Sequence, residues 1–493
     1  MQRERQQIMA FINAGYRLDR LPITRFHRRV FALVGIGMFL DGFDIYLAGT
    51  VLGATIKSGF ATMEQGALFV SATFVGMMLG SLIAGFVGDR YGRSFTYQIN
   101  LALFGLASLA AGFAPDMETL IILRFVMGLG LGAENVVGYA TLTEFFPGRF
   151  RGRWLGTMAM IVALGLPSSI LLSTYLIPAH GWRVMFIAGG IGGLLVWWVR
   201  KRLPESPRWL EVVGRHDEAE ELLLEVESES GEQWEDVSGK DLGPGPSRGL
   251  SALFRPPLLR HMIVGSVTLM IINAVVFGFI TWLPTFFIRQ GMTMVEAFHF
   301  ALVMAIGAPL GAFLASLFAD RLGRKPTVAL ACVAAMGVAY LYPDIRDPMM
   351  LPLAGLALTA AIFALMAMLF GIYIPELFPT ELRLRAAGIC NTFGRGATMF
   401  TPFLVISMFD RHGISGVTTA MIVLLGVLAA VVVLFGAESR ERRVRQLDTP
   451  PEGDRRALRF ASVSSVTPLS GGFGAQSAAR GGHAPAAAER TGG

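Results

Sequence analysis

From about residue 31 to residue 436, long apolar runs alternate with short polar segments that are often basic. The runs fall at 31–55, 66–88, 95–114, 119–146, 154–178 and 182–199. After a polar stretch they resume at 261–288, 296–319, 327–343, 350–378, 386–409 and 415–436. Most match the ~20 residues that cross a ~30 Å hydrocarbon core at about 1.5 Å rise per residue. The pattern therefore predicts an all-α membrane protein with twelve transmembrane helices, six on each side of a long loop.

The domain plan follows: a cytoplasmic N-terminal tail (1–30), a six-helix bundle (31–200), a central cytoplasmic loop with short helices (201–260), a second six-helix bundle (261–436) and a disordered tail (437–493). Within the loop, Leu210, Ala219, Leu222, Leu223 and Val226 interleave with glutamates, the pattern of short surface helices, before a Gly/Pro-rich linker at 243–249. The tail is rich in Ala, Gly, Ser, Pro and Arg and lacks the apolar content to fold. A mean hydropathy of +0.55, with 53% hydrophobic and 16% charged residues, excludes an ordinary soluble domain.

Charge then orients the chain. Of the 42 Lys and Arg residues, all but Lys57, Arg124, Arg183, Arg289, Arg346, Arg395 and Arg411 fall in the segments that share a side with the N-terminus. The positive-inside rule places both termini and the central loop in the cytoplasm. No short apolar region with a small-residue cleavage site precedes the first run, so no cleaved signal peptide is expected. Cys332 and Cys390 lie in separate apolar runs without metal-ligand spacing and read as buried thiols.

The two halves repeat. Gly88-Asp89-Arg90-Tyr91-Gly92-Arg93 recurs as Ala319-Asp320-Arg321-Leu322-Gly323-Arg324, and Glu144-Phe-Phe-Pro147 as Glu376-Leu-Phe-Pro379. In the same register Arg151 meets Arg383. Two repeats in one orientation imply a pseudo-twofold axis along the membrane normal, with a substrate site between the halves near the midplane.

The candidate chemistry centres on Asp41-Gly42-Phe43-Asp44 in span 1. A carboxylate at mid-membrane costs several kcal/mol and persists where it faces water or carries a proton. Asp41 and Asp44 are i,i+3 on one helical face. A neighbouring Arg could satisfy them structurally, but one acid suffices for an ion pair, so we read both as proton-coupling groups. In span 11, Arg395 lies one turn from Asn391, so guanidinium and amide can converge on one ligand, the Arg as a bidentate fork for a carboxylate. The simpler alternative for Arg395 is a permanent salt bridge to an acid of the first half. Arg124 opens span 4 and either binds substrate or snorkels to the surface; Glu134 adds a further carboxylate in the same span. Tyr46, Tyr139, Asn273, Phe277 and Trp282 are candidates for an aromatic and amide wall.

The D-R-x-G-R loops, the twelve spans and the duplicated halves resemble the major facilitator superfamily over about residues 25–440. That resemblance implies the major facilitator fold. It also implies loops that latch the halves in one state, with Asp89 facing a helix N-terminus and Arg93 pairing with an acid. Asp89, Arg90, Arg93, Glu144 and Arg151, with Asp320, Arg321, Arg324, Glu376 and Arg383, are accordingly gating residues. Asp41-Gly-Phe-Asp44, Arg124 before Gly128, Gly130 and Gly132, and Arg395 look like the aromatic acid:proton symporters. The Glu134 stretch and Pro204-Glu-Ser-Pro-Arg-Trp209 look more like the sugar-porter and niacin-transporter relatives.

The expected function is proton-coupled import of a small organic acid by alternating access, in a monomer of the bacterial inner membrane. Its partners are substrate, protons and lipid. It uses no metal and no cofactor beyond the proton gradient, and binds no nucleic acid. Rival readings are a sugar, polyol or niacin-type symporter, an exporter, and a non-transporting sensor. An enzyme is disfavoured, because no nucleophile–base set, phosphate loop or metal cluster is present.

Overall fold

A computed structural model describes residues 14–230, 250–256, 258–345, 347–378 and 382–437. The described residues form helices and connecting turns, without strands. A short helix α1 (Ala14–Arg20) precedes the first span, α2 (Arg25–Lys57). Spans 2 to 4 are α3 (Met63–Tyr91), α4 (Arg93–Ala111) and α5 (Met117–Phe145). Span 5 is α6 (Gly148–Ala163) continued by α7 (Gly165–His180), and span 6 is α8 (Arg183–Val199). The loop carries α9 (Pro207–Val212) and α10 (His216–Ser228).

In the second half, span 7 runs from α11 (Leu258–Val275) through a π-helical turn into α12 (Leu283–Arg289). Span 8 joins α13 (Met294–Ala305) to α14 (Gly307–Leu322), and span 9 is α15 (Arg324–Leu341). Span 10 passes from α16 (Met350–Ala367) through a second π-helical turn to α17 (Ile374–Leu377). Span 11 combines α18 (Arg383–Thr398) with the start of α19 (Thr401–Ala430), which Gly413 (φ 63°) folds back into span 12. The linker at 243–249 and the tail beyond 437 lie outside the described residues.

Two spans begin six residues earlier than in the sequence reading. Span 1 begins at Arg25, where Thr24 and His27 form a reciprocal cap, and span 5 begins at Gly148. Residues 14–30, within the expected N-terminal tail, are folded. Arg17 donates to Glu227 (2.7 and 2.9 Å) and to Glu220 (2.5 Å) of α10, which raises its pKa. Asp19 accepts from the Gly148 amide (3.0 Å) and from Arg208 (3.0 Å). Leu18, Leu21, Leu223 and Val226 are buried in one cluster with Phe145 and Phe146. Residues 14–30, the loop helices and the first bundle are thus bound into one unit on what we call the terminal face.

Within the first bundle, spans 2 and 4 cross at backbone contact. A Cβ on Gly76, Gly80, Gly128 or Gly132 would run into carbonyl oxygens of the facing span. Gly307 and Gly311 of span 8 meet Leu356 and Ala360 of span 10 in the same manner, which is the repeat expressed in packing. Between the halves, many of the described contacts lie toward the opposite face. Gly49 of span 1 abuts the Thr281 carbonyl of span 7, and Ser71 donates to the Met399 carbonyl (2.7 Å). Tyr46 stacks on Phe277 (6.2 Å, 20°), Phe277 meets Phe74 edge-on at 4.6 Å, and Phe363 lies beside Tyr46. The halves are closed together on this side.

That closure gives a prediction. A methyl group at Gly49 has no room against Thr281 and should cost about 1–3 kcal/mol in this conformation alone. In a Ser71→Cys background, Gly49→Ala is expected to raise alkylation of Cys by a membrane-impermeant maleimide roughly tenfold. Unchanged labelling would show that this contact does not set the closed state.

Candidate functional site

Near the middle of the first bundle, two acid–arginine pairs are fully buried. Arg124 Nη1 bonds Asp44 Oδ2 at 2.5 Å, its Nη2 donates to the Asp44 carbonyl (2.9 Å) and its Nε to Thr73 Oγ1 (3.0 Å). The guanidinium also lies over the Phe69 ring. Arg124 is 0% exposed, so it does not snorkel. The glycine crossing of spans 2 and 4 is what brings Thr73 and Arg124 within reach of one another.

The second pair joins Glu134 to Arg200, the residue that ends span 6. Arg200 further donates to the carbonyls of Leu33 and Val34 (2.7 Å each) and lies over Tyr97 at 4.6 Å. It threads past Gly37, where any side chain would collide with both Arg200 and Glu134. Glu134, a candidate ligand group in the sequence, is held by this pair.

Asp41 stands between the two pairs and differs from both. It is 4% exposed, and its Oδ2 is buried with no hydrogen-bond partner among the described residues. Asp41 and Asp44 thus share a helix face yet meet different surroundings. Across the interface, Arg395 acts electrostatically on Asp41 without bonding it. Its Nη1 donates instead to Ser81 Oγ (2.7 Å) and the Met77 carbonyl (3.2 Å) of span 2. Neither a permanent ion pair nor convergence with Asn391 is seen, since Asn391 is half-buried and makes no described bond with Arg395. Nε and Nη2 of Arg395 make no described hydrogen bond.

Asn273 is buried, donates to the Leu269 carbonyl (2.8 Å) and packs against Gly394, beside Arg395. Tyr46 and Phe277 meet in an aromatic layer with Phe74 and Phe363, and the other two aromatic candidates lie elsewhere. Tyr139 packs instead in the terminal-face cluster with Phe31 and Trp154. Trp282 is fully buried, stacked on Phe286.

At the terminal face, Arg93 grips Glu144 through Nε and Nη2 (3.0 and 2.8 Å), and Arg324 grips Glu376 with two bonds of 2.9 Å. Asp89 departs from expectation. Its carboxylate is 81% exposed and pairs with Arg93 (3.2 Å). The α4 N-terminus is capped by Glu205, whose oxygens accept from the amides of Arg93 (2.8 Å) and Ser94 (3.1 Å). Burial raises the Glu205 pKa, against the pull of those amides. Gly92 (φ 96°) makes room for Glu205, and Trp209 donates to the Asp89 carbonyl (2.9 Å). Arg90 stacks on Tyr91, and Arg151 donates to the Phe146 carbonyl (3.1 Å). The side chains of Asp320, Arg321 and Arg383 lie outside the described residues.

Sequence reasoning missed Arg200 and Glu205. Arg200 opens the basic run Arg200-Lys201-Arg202 and reads as a topology marker. Its only signal was the unpaired Glu134 in span 4.

Two bundles that repeat one another around buried mid-membrane charges define a secondary transporter fold. The Major Facilitator Superfamily description matches residues 34–343 and 300–480, and the chain belongs to that superfamily. It is 34% identical to the inner membrane metabolite transport protein YdjE of Escherichia coli, over 88% of this chain and 98% of that protein. It is 29% identical to the niacin transporter NiaP of Acinetobacter baylyi, over 87% and 98%. In fold it resembles the partially occluded inward-open xylose transporter XylE of E. coli (TM-score 0.66, 17% identity), covering 84% of this chain and 99% of XylE. The chain is a multi-pass membrane transporter.

The Asp44–Arg124 pair yields a stability prediction. Arg124→Gln strands a buried carboxylate and should cost about 3–5 kcal/mol. Combined with Asp44→Asn, the loss should be smaller than for Arg124→Gln alone. Thermal melts of the purified variants in detergent test this; additive losses would show that the two groups do not stabilise each other.

Proposed function

We propose that this transporter is a proton-coupled symporter that imports a small organic acid, probed first with aromatic and pyridine carboxylates, across the bacterial inner membrane. Both termini then face the cytoplasm, and the structure is the state closed to the outside. The observation that carries the reading is Asp41: a buried carboxylate with no hydrogen-bond partner among the described residues, at the middle of span 1, within the fields of Arg200 and, from the other half, Arg395. Burial favours a neutral carboxyl and a nearby guanidinium favours the anion. An acid that meets Arg395 in only one conformation therefore binds and releases a proton once per cycle. Asp44 carries the proton from the outer side toward Asp41.

The unengaged part of the Arg395 fork supports a carboxylate substrate, with Asn273 beside it and the rings of Tyr46 and Phe277 on its outer side. A monocarboxylate carried with one proton crosses without net charge, so the pH difference is the driving force, about 1.4 kcal/mol and thus about tenfold accumulation per pH unit. The name of NiaP supports a pyridine carboxylate. The second reading, a sugar symporter, draws on XylE and on the capping Glu205; in it Arg395 serves only to hold span 11 against span 2.

Uptake of labelled benzoates, nicotinate, dicarboxylates and hexoses into proteoliposomes, with and without a pH gradient, tests the function. Gradient-driven accumulation of an acid is expected; gradient-driven accumulation of a hexose alone would favour the second reading. For an accumulated acid, Arg395→Lys is expected to lower affinity about tenfold or more, since a misplaced charged hydrogen bond is worth roughly 1.5–3 kcal/mol. The uncharged amide of the same acid should be nearly unaffected. Equal losses for acid and amide would rule out carboxylate recognition by Arg395.

A further inference from the structure

Glu134 is a buried acid that the symport cycle above leaves unused. Three carboxylates descend through the first bundle. Asp44 lies one helical turn outward of Asp41 on span 1. The Glu134–Arg200 pair wraps Gly37, one turn inward of Asp41. The series therefore runs from the closed outer side toward the terminal face. One oxygen of each acid (Asp44 Oδ1, Asp41 Oδ2 and Glu134 Oε2) is buried and without a hydrogen-bond partner among the described residues. In both pairs the described arginine bond engages one carboxylate oxygen, which leaves the other open to water or a proton.

Arg200 links the lowest acid to the gate. It is the last turn of span 6, and five residues later Glu205 caps the loop between spans 2 and 3 through the Arg93 and Ser94 amides. Ser94 Oγ also donates to the Leu203 carbonyl (3.3 Å). A movement of that loop therefore pulls on the short segment that ends in the Arg200 guanidinium.

We propose that Glu134 is the inner station of the proton path, receiving the proton from Asp41, and that Arg200 expels it when the terminal-face latch resets. In the step, the Oδ2–H bond of Asp41 breaks and an O–H bond forms at Glu134 Oε2, across water admitted from the cytoplasmic side. Return of the Arg200 guanidinium then releases the proton to that water. Nothing is oxidised or reduced. The charged and titratable groups that act on Glu134 among the described residues are Arg200 from span 6, Asp41 from span 1 and Tyr97 from span 3. This proposal rests on the symport reading but is tested without substrate.

The test is infrared titration of the purified full-length protein in lipid nanodiscs, following the C=O stretch of protonated carboxyls. Wild type is expected to show a Glu134 band that Glu134→Gln abolishes and Glu134→Asp shifts in frequency. Asp41→Asn should leave that band in place and move its midpoint, because the two acids exchange one proton. If Glu134→Gln removes no titrating band, or if Asp41→Asn leaves the midpoint where it was, the relay is refuted and the pair is a fixed ion pair. Failure of the symport reading would appear separately, as wild-type proteoliposomes that accumulate none of the panel compounds under a pH gradient.

Discussion

The cost of holding charge inside a bilayer shapes this molecule more than any other constraint. A lone ion taken from water into such surroundings costs several kcal/mol even after relaxation, so each buried charge needs a partner, a proton or water. Asp44 and Glu134 have arginines, fixed in turn by backbone carbonyls, a threonine hydroxyl and aromatic rings. Arg395 is held by a hydroxyl and a carbonyl of the other half. Asp41 has none of these among the described residues. In the transport reading, this acid left over by the pairing takes the coupling proton from Asp44 and passes it on.

The packing is what permits such pairing. Spans 2 and 4 meet along four glycines, so Arg124 reaches across to span 1. Gly37 leaves a gap wide enough for Arg200 to enter from the membrane boundary. The aromatic layer of Tyr46, Phe74, Phe277 and Phe363 closes over the charges and separates the polar layer from the face opposite the terminal face. Small residues bring charges together, and large ones shield them.

Much of this was legible in the sequence, because it rests on local pattern. Twelve apolar runs and the duplicated loops give the fold, and the run Asp41-Gly-Phe-Asp44 marks the central layer without the structure. Which acid takes which arginine was not legible. Asp44 and Asp41 are equivalent by spacing, and only the position of Arg124 on span 4 separates them. Arg200 sits in a basic run where nothing local distinguishes it from Lys201 and Arg202. Likewise Asp89 has the right spacing to cap α4, but Glu205, far along the chain, takes that place because Gly92 leaves room for it. Such pairings are decided by long-range packing, which single-sequence periodicity does not encode.

The most direct test of the central claim separates proton coupling from substrate movement in one variant. Asp41→Asn removes the titrating carboxyl at nearly the same volume. With the acid that the wild type accumulates, the variant should lose accumulation under an imposed pH gradient, yet still exchange labelled for unlabelled substrate across the membrane at a rate that no longer depends on pH. Accumulation against a gradient that persists in Asp41→Asn would contradict the account.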